Sequence, residues 1–490
     1  MRVTCATVDG QFEAVYSAAP MPCRLLSFVL PSALFLLATL AAPAGALAKK
    51  LTLPELLDQA RVANPGLHAS AAATAAMEAQ VSEARRYWLP SGDILSLVAP
   101  SPSVSCQAPS NLTGDGSQAF REQNCLSTSS NEASISNVSF KKVFTRTEVR
   151  LIQPLWDFGK ISAGVAAARA GVDVSREREA GARADLELNV RKAYYGLKLA
   201  RELISTLEEG SGYVDEGQKK IEGDLAKGVG TATVTDKLRL RTVRAEVDAR
   251  ILEAKRMADL ARDGLRALLG PDAPADLDVD DDELAVVEVK QRPVSFYEDQ
   301  ARFHRPEVRL LDHAIRAKHA LADLERRKEY PDLVLVGTAT LAYAGGVDNP
   351  QNAFVSHYFN STSAGVAAAL RMQLDLGPKL AHADRTQAEA NEIEHRRTES
   401  LGGIIFEVRK AYGELTEAQA RTEAVHKGER AGKAWISAVA QNFAVGLAEA
   451  RDLSDALLAF FQMRARYLQS VYDLNIAASA LTRATGASTL

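Results

Sequence analysis

Two acidic side chains stand close together after a glycine in the segment FAVGLAEARDLSDA, residues 443–456. Asp452 and Asp455 are three residues apart, and residues at that spacing share one face of a helix. Because glycine costs a helix interior about 1 kcal/mol relative to alanine, Gly446 indicates a turn in an otherwise helical stretch. Neighbouring carboxylates repel one another and concentrate cations, although such a pair could also be an ordinary solvated helix face.

The remaining residues that bear chemistry form no catalytic or metal-binding pattern, so we expect neither an enzyme nor a cofactor. The eight histidines are scattered along the chain. Glu392 and His395 have a spacing used by di-iron proteins, but no second copy of the motif follows. The run DLDVDDDE, residues 276–283, resembles a calcium loop, except that Asp281 replaces the required glycine and no glutamate closes the loop. We therefore expect this run to be a solvated part of a linker.

Residues 1–48 are predicted to be a signal peptide. A basic residue and an apolar run precede Ala46 and Ala48, two small residues that are typical of a cleavage site. Residues 1–20 have no apolar core, which favours Met21 as the true start. A membrane anchor is the alternative, but the prolines within the segment and the cleavage site favour removal. The chain is therefore expected to be exported.

Four cysteines occur, and two of them, Cys5 and Cys23, would leave with the signal peptide. The other two, Cys106 and Cys125, lie in one segment rich in serine, asparagine and glycine. In an exported chain a lone close pair indicates a disulfide. Closing a loop of about 20 residues would stabilise the fold by roughly 3 kcal/mol. Two free thiols are the alternative.

Charge and hydropathy argue against two further classes of protein. Acidic and basic residues are interspersed and sum to a charge of −4, whereas a nucleic-acid-binding surface would be strongly basic. Beyond the signal peptide, no stretch has the roughly 20 apolar residues that a membrane-spanning helix requires. A membrane crossing by this chain would therefore have to use strands.

The sequence contains two copies of one plan. Prolines are absent from residues 155–270 and from residues 379–490, so both stretches can be helical. The sequence VRKAY occurs at 190–194 and again at 408–412, and other motifs recur at similar offsets. We therefore predict an internal duplication. It consists of a first repeat over 49–270, a linker over 271–300 that lies in an equatorial belt, and a second repeat over 301–490.

Each repeat is predicted to contain the same order of elements. A helix of roughly 23 residues precedes two strands, a long helix of about 60 residues, a glycine turn and a returning helix of about 35. In FTRTEVRLI, residues 144–152, charged and apolar positions alternate as in a barrel strand between water and lipid. A sandwich strand with one solvated face is the alternative. Apolar residues spaced by four and three predict coiled-coil packing, and in the first long helix they are Leu186, Val190, Ala193, Leu197, Ala200, Ile204 and Leu207.

Two strands from each repeat give four strands per chain, and four strands cannot form a closed wall. An open sheet in lipid would leave the N–H and C=O groups of its edges unsatisfied, and bacterial barrels begin at eight strands. The chain must therefore associate with itself. The predicted fold class is an α+β membrane protein in which long helices extend from a β-barrel as an α-helical tube.

These features together resemble the TolC-like outer-membrane efflux proteins over essentially the whole mature chain. The resemblance is carried by QPLWDFGK at 153–160, by Asn64-Pro65, by two Val-Gly turns followed by aspartate, and by the duplicated order of elements. It implies a homotrimer in outer-membrane lipid, with one twelve-stranded β-barrel continued by a long periplasmic coiled-coil barrel. It also implies an exit duct of a tripartite efflux pump or a type I secretion system, which works with a periplasmic adaptor and, through it, an inner-membrane transporter.

The resemblance also assigns roles to residues of the periplasmic entrance. It implies that Asp452 and Asp455 form a ring of carboxylates around the closed entrance. It implies that two hairpin tips contact the adaptor, although plain helical turns would need only the glycines. These tips comprise Val229, Gly230, Thr231, Val445, Gly446 and Leu447.

A latch between neighbouring hairpins is the feature in which this sequence departs from its relatives. The candidate latch residues are Thr235, Asp236, Phe443 and Arg451. Phe443 and Ala448 stand where relatives often have a tyrosine and an arginine, and neither side chain can make the corresponding hydrogen bonds. We therefore expect the closed state to depend less on polar links and more on coiled-coil packing, with Arg451 as a substitute donor.

A structural periplasmic coiled-coil scaffold or adhesin without a channel is the alternative function. Such a scaffold would not need paired amphipathic strands before each long helix, so these strands favour the transport duct. A periplasmic adaptor would have one hairpin and a strand-rich lipoyl-like domain, and the sequence indicates neither.

Overall fold

A computed structural model of the chain describes residues 50–103, 113–115, 139–228, 233–347 and 358–487. These residues belong to one compact unit, Ala48–Leu490. The predicted signal peptide, the two cysteines Cys106 and Cys125, and the first predicted tip (Val229, Gly230 and Thr231) lie outside the described residues.

Helices make up most of the described chain. In chain order they are α1 (Leu53–Ala63), α2 (Pro65–Arg86), α3 (Lys160–Lys227), α4 (Val234–Leu269), α5 (Val294–His304), α6 (Pro306–Arg327), α7 (Leu376–Ala444) and α8 (Ala450–Thr485). The long helices α3 and α7 contain 68 and 69 residues, so each extends about 100 Å at 1.5 Å per residue. The short helices α1 and α5, of 11 residues each, are absent from the predicted order. None of the described helices is both long enough and apolar enough to cross a membrane.

Strands form two separate sheets. In chain order the described strands are β1 (Lys50–Leu51), β2 (Ser91–Ser103), β3 (Ser139–Trp156), β4 (Asp278–Val279), β5 (Asp332–Ala344) and β6 (Ser361–Arg371). The four long strands form an antiparallel sheet in the order β2-β3-β5-β6, whereas β1 and β4 pair in parallel. The central pair, β3 with β5, joins the two halves of the chain. Strands β2 and β6 are the outer edges, so one side of each has no strand partner among the described residues.

The four-stranded sheet has one apolar face that is open to its surroundings. Successive side chains of a strand point to opposite faces, and directly paired residues share a face, as Leu151, Gly337 and Val366 do across three strands. The opposite face carries charges, including Arg146 and Glu148, which form an ion pair of 2.5 Å. The exposed apolar side chains on the first face include Ile94, Val98, Val143, Leu151, Leu341, Tyr343, Val366 and Leu370.

The helices pack around α3. The coiled-coil positions predicted along this helix are buried or half-buried, and Leu197 and Ala200 are fully buried. Gly210 allows α8 to approach α3 closely, because a Cβ at this position would lie 1.7 Å from the ring of Phe461 on α8. Gly212, two residues later, has no atom within 4 Å of the same point. Gly210 is therefore needed for the close packing of α8 on α3, whereas Gly212 faces open space.

The C-terminal ends of α4 and α8 pack in the same way, each against the break between two shorter helices. Gly270, just after α4, has a φ of +91°, and a Cβ there would lie 2.7 Å from the carbonyl oxygen of Ala63 at the break between α1 and α2. Gly486, just after α8, has a φ of +68° and the same clearance from the carbonyl oxygen of His304, at the end of α5. Both positions require glycine because of the positive φ and the close backbone approach.

The acidic run at 276–283 is docked on α3, so the expectation that it is solvated is wrong for its central residues. Asp278 lies in β4 and pairs with Arg201. Asp280 accepts a hydrogen bond from the hydroxyl of Tyr194 at 2.7 Å and pairs with Lys198 at 2.5 Å. The basic face of α3 that binds these aspartates is about 80 residues away in sequence, which is why the run alone resembles a solvated linker.

Ionisation of this cluster reflects two opposing effects. Burial alone would raise the pKa of Asp280, but hydrogen bonds from Lys198 and Tyr194 outweigh it, so the pKa of Asp280 is lowered. Burial, with the hydrogen bond to Asp280, raises the pKa of Tyr194. The carboxylate of Asp280 is therefore held in its charged form and the phenol of Tyr194 in its neutral form.

Candidate functional site at the hairpin tips

The turn of the second hairpin is built around Gly446. Helix α7 ends at Ala444 and α8 begins at Ala450, and between them Gly446 has a φ of +81°. A positive φ of this size suits glycine, which has no Cβ to clash with the backbone. The side chains of Val445 and Leu447 are 71% and 81% exposed. This tip therefore presents two apolar side chains to its surroundings.

Asp236 and Asp452 occupy the same position in two helices, namely the third residue of α4 and of α8. The carboxylate of Asp236 accepts hydrogen bonds from the backbone N–H of Thr233 at 3.0 Å and from its hydroxyl at 2.6 Å. The carboxylate of Asp452 accepts one from the backbone N–H of Glu449 at 3.1 Å. Both are capping-box contacts, which satisfy free N–H groups at a helix start. Each aspartate thus stabilises the start of its own helix, a role that was not predicted from the sequence.

The other predicted polar residues lie on the exposed sides of the two returning helices. Arg451 and Asp455 form an ion pair of 3.7 Å one turn apart on α8. Exposed pairs of this kind contribute only about 0.3–0.5 kcal/mol. Thr235 is exposed in the first turn of α4. Among the described residues, Arg451 is therefore paired within its own helix and not with the other hairpin.

Phe443 packs between the two hairpins. Its side chain is 8% exposed and belongs to an apolar cluster that includes Leu240 of α4 and Leu453 of α8. A Cβ added at Gly217 of α3 would lie 3.2 Å from methyl carbons of both Leu240 and Leu453, so this glycine allows α3 to pack closely against the cluster. A phenyl ring needs no hydrogen-bond partner when it is buried, and its burial is favourable by the hydrophobic effect.

Lys220 is the contact of this region that sequence reasoning missed. Its amine donates hydrogen bonds to the backbone carbonyls of Phe443 at 2.7 Å and of Ala444 at 2.8 Å. The amine also lies 5.3 Å from the centre of the Phe443 ring. Backbone acceptors carry no side-chain signal, and these lie more than 220 residues away in sequence, so no local pattern could have indicated the contact.

Capping by Asp452 leads to a prediction that distinguishes it from Asp455. The variant Asp452→Ala is expected to weaken the first turn of α8 by about 1 kcal/mol, because its capping contact is lost. The variant Asp455→Ala is the matched control, since its carboxylate contacts an exposed arginine and not the backbone. Hydrogen exchange of the amides in residues 450–456 measures the difference. Equal exchange in the two variants would contradict the capping role.

The fold is similar to that of solved outer-membrane proteins. CusC aligns with a TM-score of 0.68 and 17% identity, over 92% of this chain and 96% of that one. The outer-membrane channel OprN aligns with a TM-score of 0.67 and 17% identity, over 89% and 90%. The CmeC outer membrane channel of Campylobacter jejuni aligns with a TM-score of 0.67 and 16% identity, over 89% and 85%. No curated protein sequence matches this chain.

This chain therefore shares the fold of solved outer-membrane channels. The model of the outer membrane efflux protein family matches residues 125–271 and 298–487. The chain therefore belongs to the outer membrane efflux protein family, and the resemblance to TolC-like proteins is confirmed. It is an outer-membrane efflux duct whose helical part extends into the periplasm. Members of this family are transport channels and not enzymes, and among the described residues no group of three His, Cys, Asp or Glu is placed to hold a metal ion.

Proposed function

We propose that three copies of this chain form the exit duct of a tripartite efflux pump or a type I secretion system. Each copy contributes four strands to a twelve-stranded barrel in outer-membrane lipid, and the helices continue the barrel as a coiled-coil tunnel. A periplasmic adaptor contacts the hairpin tips and links the duct to an inner-membrane transporter. The two repeats of each chain arise from one duplicated unit, and residues 271–300 connect them.

The observation that carries this proposal is an apolar sheet with two open edges. The outer sides of β2 and β6 have no strand partner among the described residues, and an unpaired edge cannot be satisfied in lipid. The exposed apolar face that includes Val98, Leu341 and Val366 suits contact with acyl chains. Pairing β6 of one copy with β2 of the next would remove both edges, and three copies would give twelve strands.

The order of elements supports the duplication and the common wall. Helices and strands follow the order helix, helix, strand, strand, long helix, helix from α1 to α4 and again from α5 to α8. The matching helices have equal or nearly equal lengths. Two similar halves can therefore contribute similar portions to one closed wall.

A pair of substitutions in β6 tests the lipid-facing surface. The variant Val366→Asp is expected to destabilise membrane assembly by about 1–2 kcal/mol, because it places a charge on the lipid side. The control Ser363→Asp introduces the same charge on the opposite face, which is expected to contact water. The measurements are the fraction of protein in the outer membrane and the trimer content on cross-linking in detergent. Equal losses in both variants would contradict the proposed orientation of the sheet.

The duct itself is tested with the purified native chain in planar lipid bilayers. We expect a trimer by mass in detergent and stepwise ionic conductance after insertion. A monomeric, water-soluble mature protein would refute the proposal. Correct localisation as a trimer without conductance, even when the entrance is opened by removal of the tip residues 441–452, would support the scaffold or adhesin instead.

A further inference from the structure

The second half of the linker runs across the long helices instead of along them. It contacts α3 through the backbone carbonyl of Asp282, which accepts a hydrogen bond from Lys198 at 3.0 Å. It then contacts α8 at Asn475, and it reaches α7 through Gln291, whose amide donates to the hydroxyl of Thr416 at 3.1 Å. Lys198 and Thr416 have the same sequence offset as the two copies of VRKAY, so they occupy matching positions on α3 and α7. The linker therefore crosses three neighbouring helices at one level.

Asn475 holds this part of the linker as a neighbouring strand would. The asparagine is 1% exposed. Its side-chain oxygen accepts a hydrogen bond from the backbone N–H of Val287 at 2.9 Å, and its amide donates to the backbone carbonyl of Ala285 at 2.9 Å. Alternate residues of an extended segment turn their backbone groups to the same side. Residues 285 and 287 therefore face α8, whereas residues 286 and 288 turn their N–H and C=O groups the other way.

The outer edge of this segment is unpaired. The backbone groups of Val286 and Glu288 make no hydrogen bond with any of the described residues, and Val286 and Val287 are 43% and 40% exposed. The sequence LAVVEV, residues 284–289, is rich in the β-branched residues that favour strands. An exposed strand edge of this kind is a template for pairing with another chain.

Charges at the two ends of the segment indicate what fits this edge. Asp282 and Glu283 precede it, Lys290 and Arg292 follow it, and all four are exposed. In an antiparallel pair of two such segments centred on Val286, Asp282 of each copy lies opposite Lys290 of the other, because both are four residues from the centre. Opposite charges therefore meet at both ends, and no like charges lie directly opposite each other. The edge is thus complementary to itself.

We propose that the edge at 284–289 pairs with the same edge of a second copy of this chain in a neighbouring duct. Chains that stand side by side in one membrane have the same orientation, so segments that run across their helices meet antiparallel, as the charges require. The contact is two-fold symmetric, and it therefore joins one duct to the next instead of closing the proposed three-fold duct. A strand pair of this size is a weak contact, which confinement to one membrane plane favours by raising the local concentration of partners.

The test is thiol cross-linking of the full-length chain in its native membrane. Val286→Cys places a thiol at the centre of the proposed pair, so a short bismaleimide is expected to join two chains into a product with the mass of two trimers on a native gel. Ala275→Cys is the matched control, because Ala275 is exposed in the same linker but lies eleven residues from the centre. The native chain, with its own cysteines, gives the background.

An exchange of charges tests the antiparallel register. Lys290→Glu places a glutamate opposite Asp282 at both ends and is expected to reduce the cross-linked fraction of Val286→Cys about fivefold. Combining Asp282→Lys with Lys290→Asp exchanges the two charges and is expected to restore cross-linking. Because both native side chains are exposed, the melting temperatures of these variants are expected to stay close to the native value.

The outcomes separate this pairing from other contacts and from the duct itself. Equal cross-linking of Val286→Cys and Ala275→Cys would overturn the pairing, as would a fraction that Lys290→Glu leaves unchanged or a product with the mass of one trimer. A cross-link to a different protein would assign the edge to that protein and also overturn self-pairing. None of these readouts uses conductance, so a chain that fails to conduct would count against the proposed function and not against this inference.

Discussion

The variant Lys198→Met is expected to release the acidic linker from α3. In the native chain Lys198 is 6% exposed, and its amine pairs with Asp280 at 2.5 Å and donates to the backbone carbonyl of Asp282 at 3.0 Å. Removing one partner of a buried ion pair typically costs about 3 kcal/mol or more, because the other charge stays buried without compensation. Methionine has a similar length and an apolar stem, so the loss reports mainly on the charge.

Cleavage by trypsin after Lys290 measures this release, because Lys290 lies in the linker, whereas Pro293 protects the bond after Arg292. We expect faster cleavage in Lys198→Met than in the native protein, while the helical core remains resistant. Lys192→Met is the control, since Lys192 is exposed on the same helix. Native cleavage rates in both variants would show that Lys198 does not hold the linker.

The same cluster predicts a pH dependence for linker docking in the native chain. The pKa of Asp280 is lowered in the folded protein, so its stabilising effect is complete above its unfolded pKa of about 3.9 and is lost as the pH falls through the folded value. Native linker docking should therefore be constant near neutral pH and weaken in acid below about pH 4. Hydrogen exchange of residues 278–292, corrected for the intrinsic pH effect, measures this loss, and docking that strengthens in acid would contradict it.

The variant Gly210→Ala is expected to lower the stability of the assembled helices by about 2 kcal/mol. A Cβ at position 210 would lie 1.7 Å, 2.3 Å and 2.9 Å from three ring atoms of Phe461, so either the ring or α8 must move. Overpacking of this kind costs about 1–3 kcal/mol or more. The gain in helix propensity on replacing glycine, about 1 kcal/mol, offsets only part of that loss.

Gly212→Ala provides the matched control two residues further along α3. Its Cβ would meet nothing within 4 Å, so only the gain in helix propensity applies and thermal stability should rise slightly. The double variant Gly210→Ala with Phe461→Leu should recover part of the loss, because the smaller side chain vacates the occupied space. Thermal unfolding of the purified protein compares all of these variants, and a stabilised Gly210→Ala single variant would show that the ring relocates freely.

These two glycines show what the sequence can and cannot predict about the packing. The heptad from Leu186 to Leu207 predicts the helix and its buried face, because that pattern depends on local spacing. Gly210 and Gly212 are alike as sequence features, and only the position of Phe461 on another helix distinguishes them. The lengths of the long helices could be predicted from the proline-free stretches, whereas α1 and α5 could not, because each is short and ends at the residue before Asn64-Pro65 or Arg305-Pro306.

The residues of the second hairpin turn also include features that the sequence predicts and features that it does not. The turn at Gly446 is local and could be predicted, since glycine after a long helix indicates its end. The capping contact of Asp236 has a sequence signal, because Thr233 precedes it by three residues, whereas glutamate is not a preferred N-cap residue and Glu449 gives no such signal for Asp452. The contact made by Lys220 was not readable, because its acceptors are main-chain atoms that become available only where α7 ends.

The docking of α4 on α2 and of α8 on α6 sets how the helices of the chain align. The end of α4 lies where α2 begins, and the end of α8 lies where α6 begins. Each of these pairs therefore stacks end to end, whereas α3 and α7 are single long helices. The helical part of the described chain therefore consists of four rod-like units, namely α3, α7 and the two stacked pairs. A heptad inserted into α3 alone would therefore lengthen this helix relative to the two stacked pairs that pack beside it.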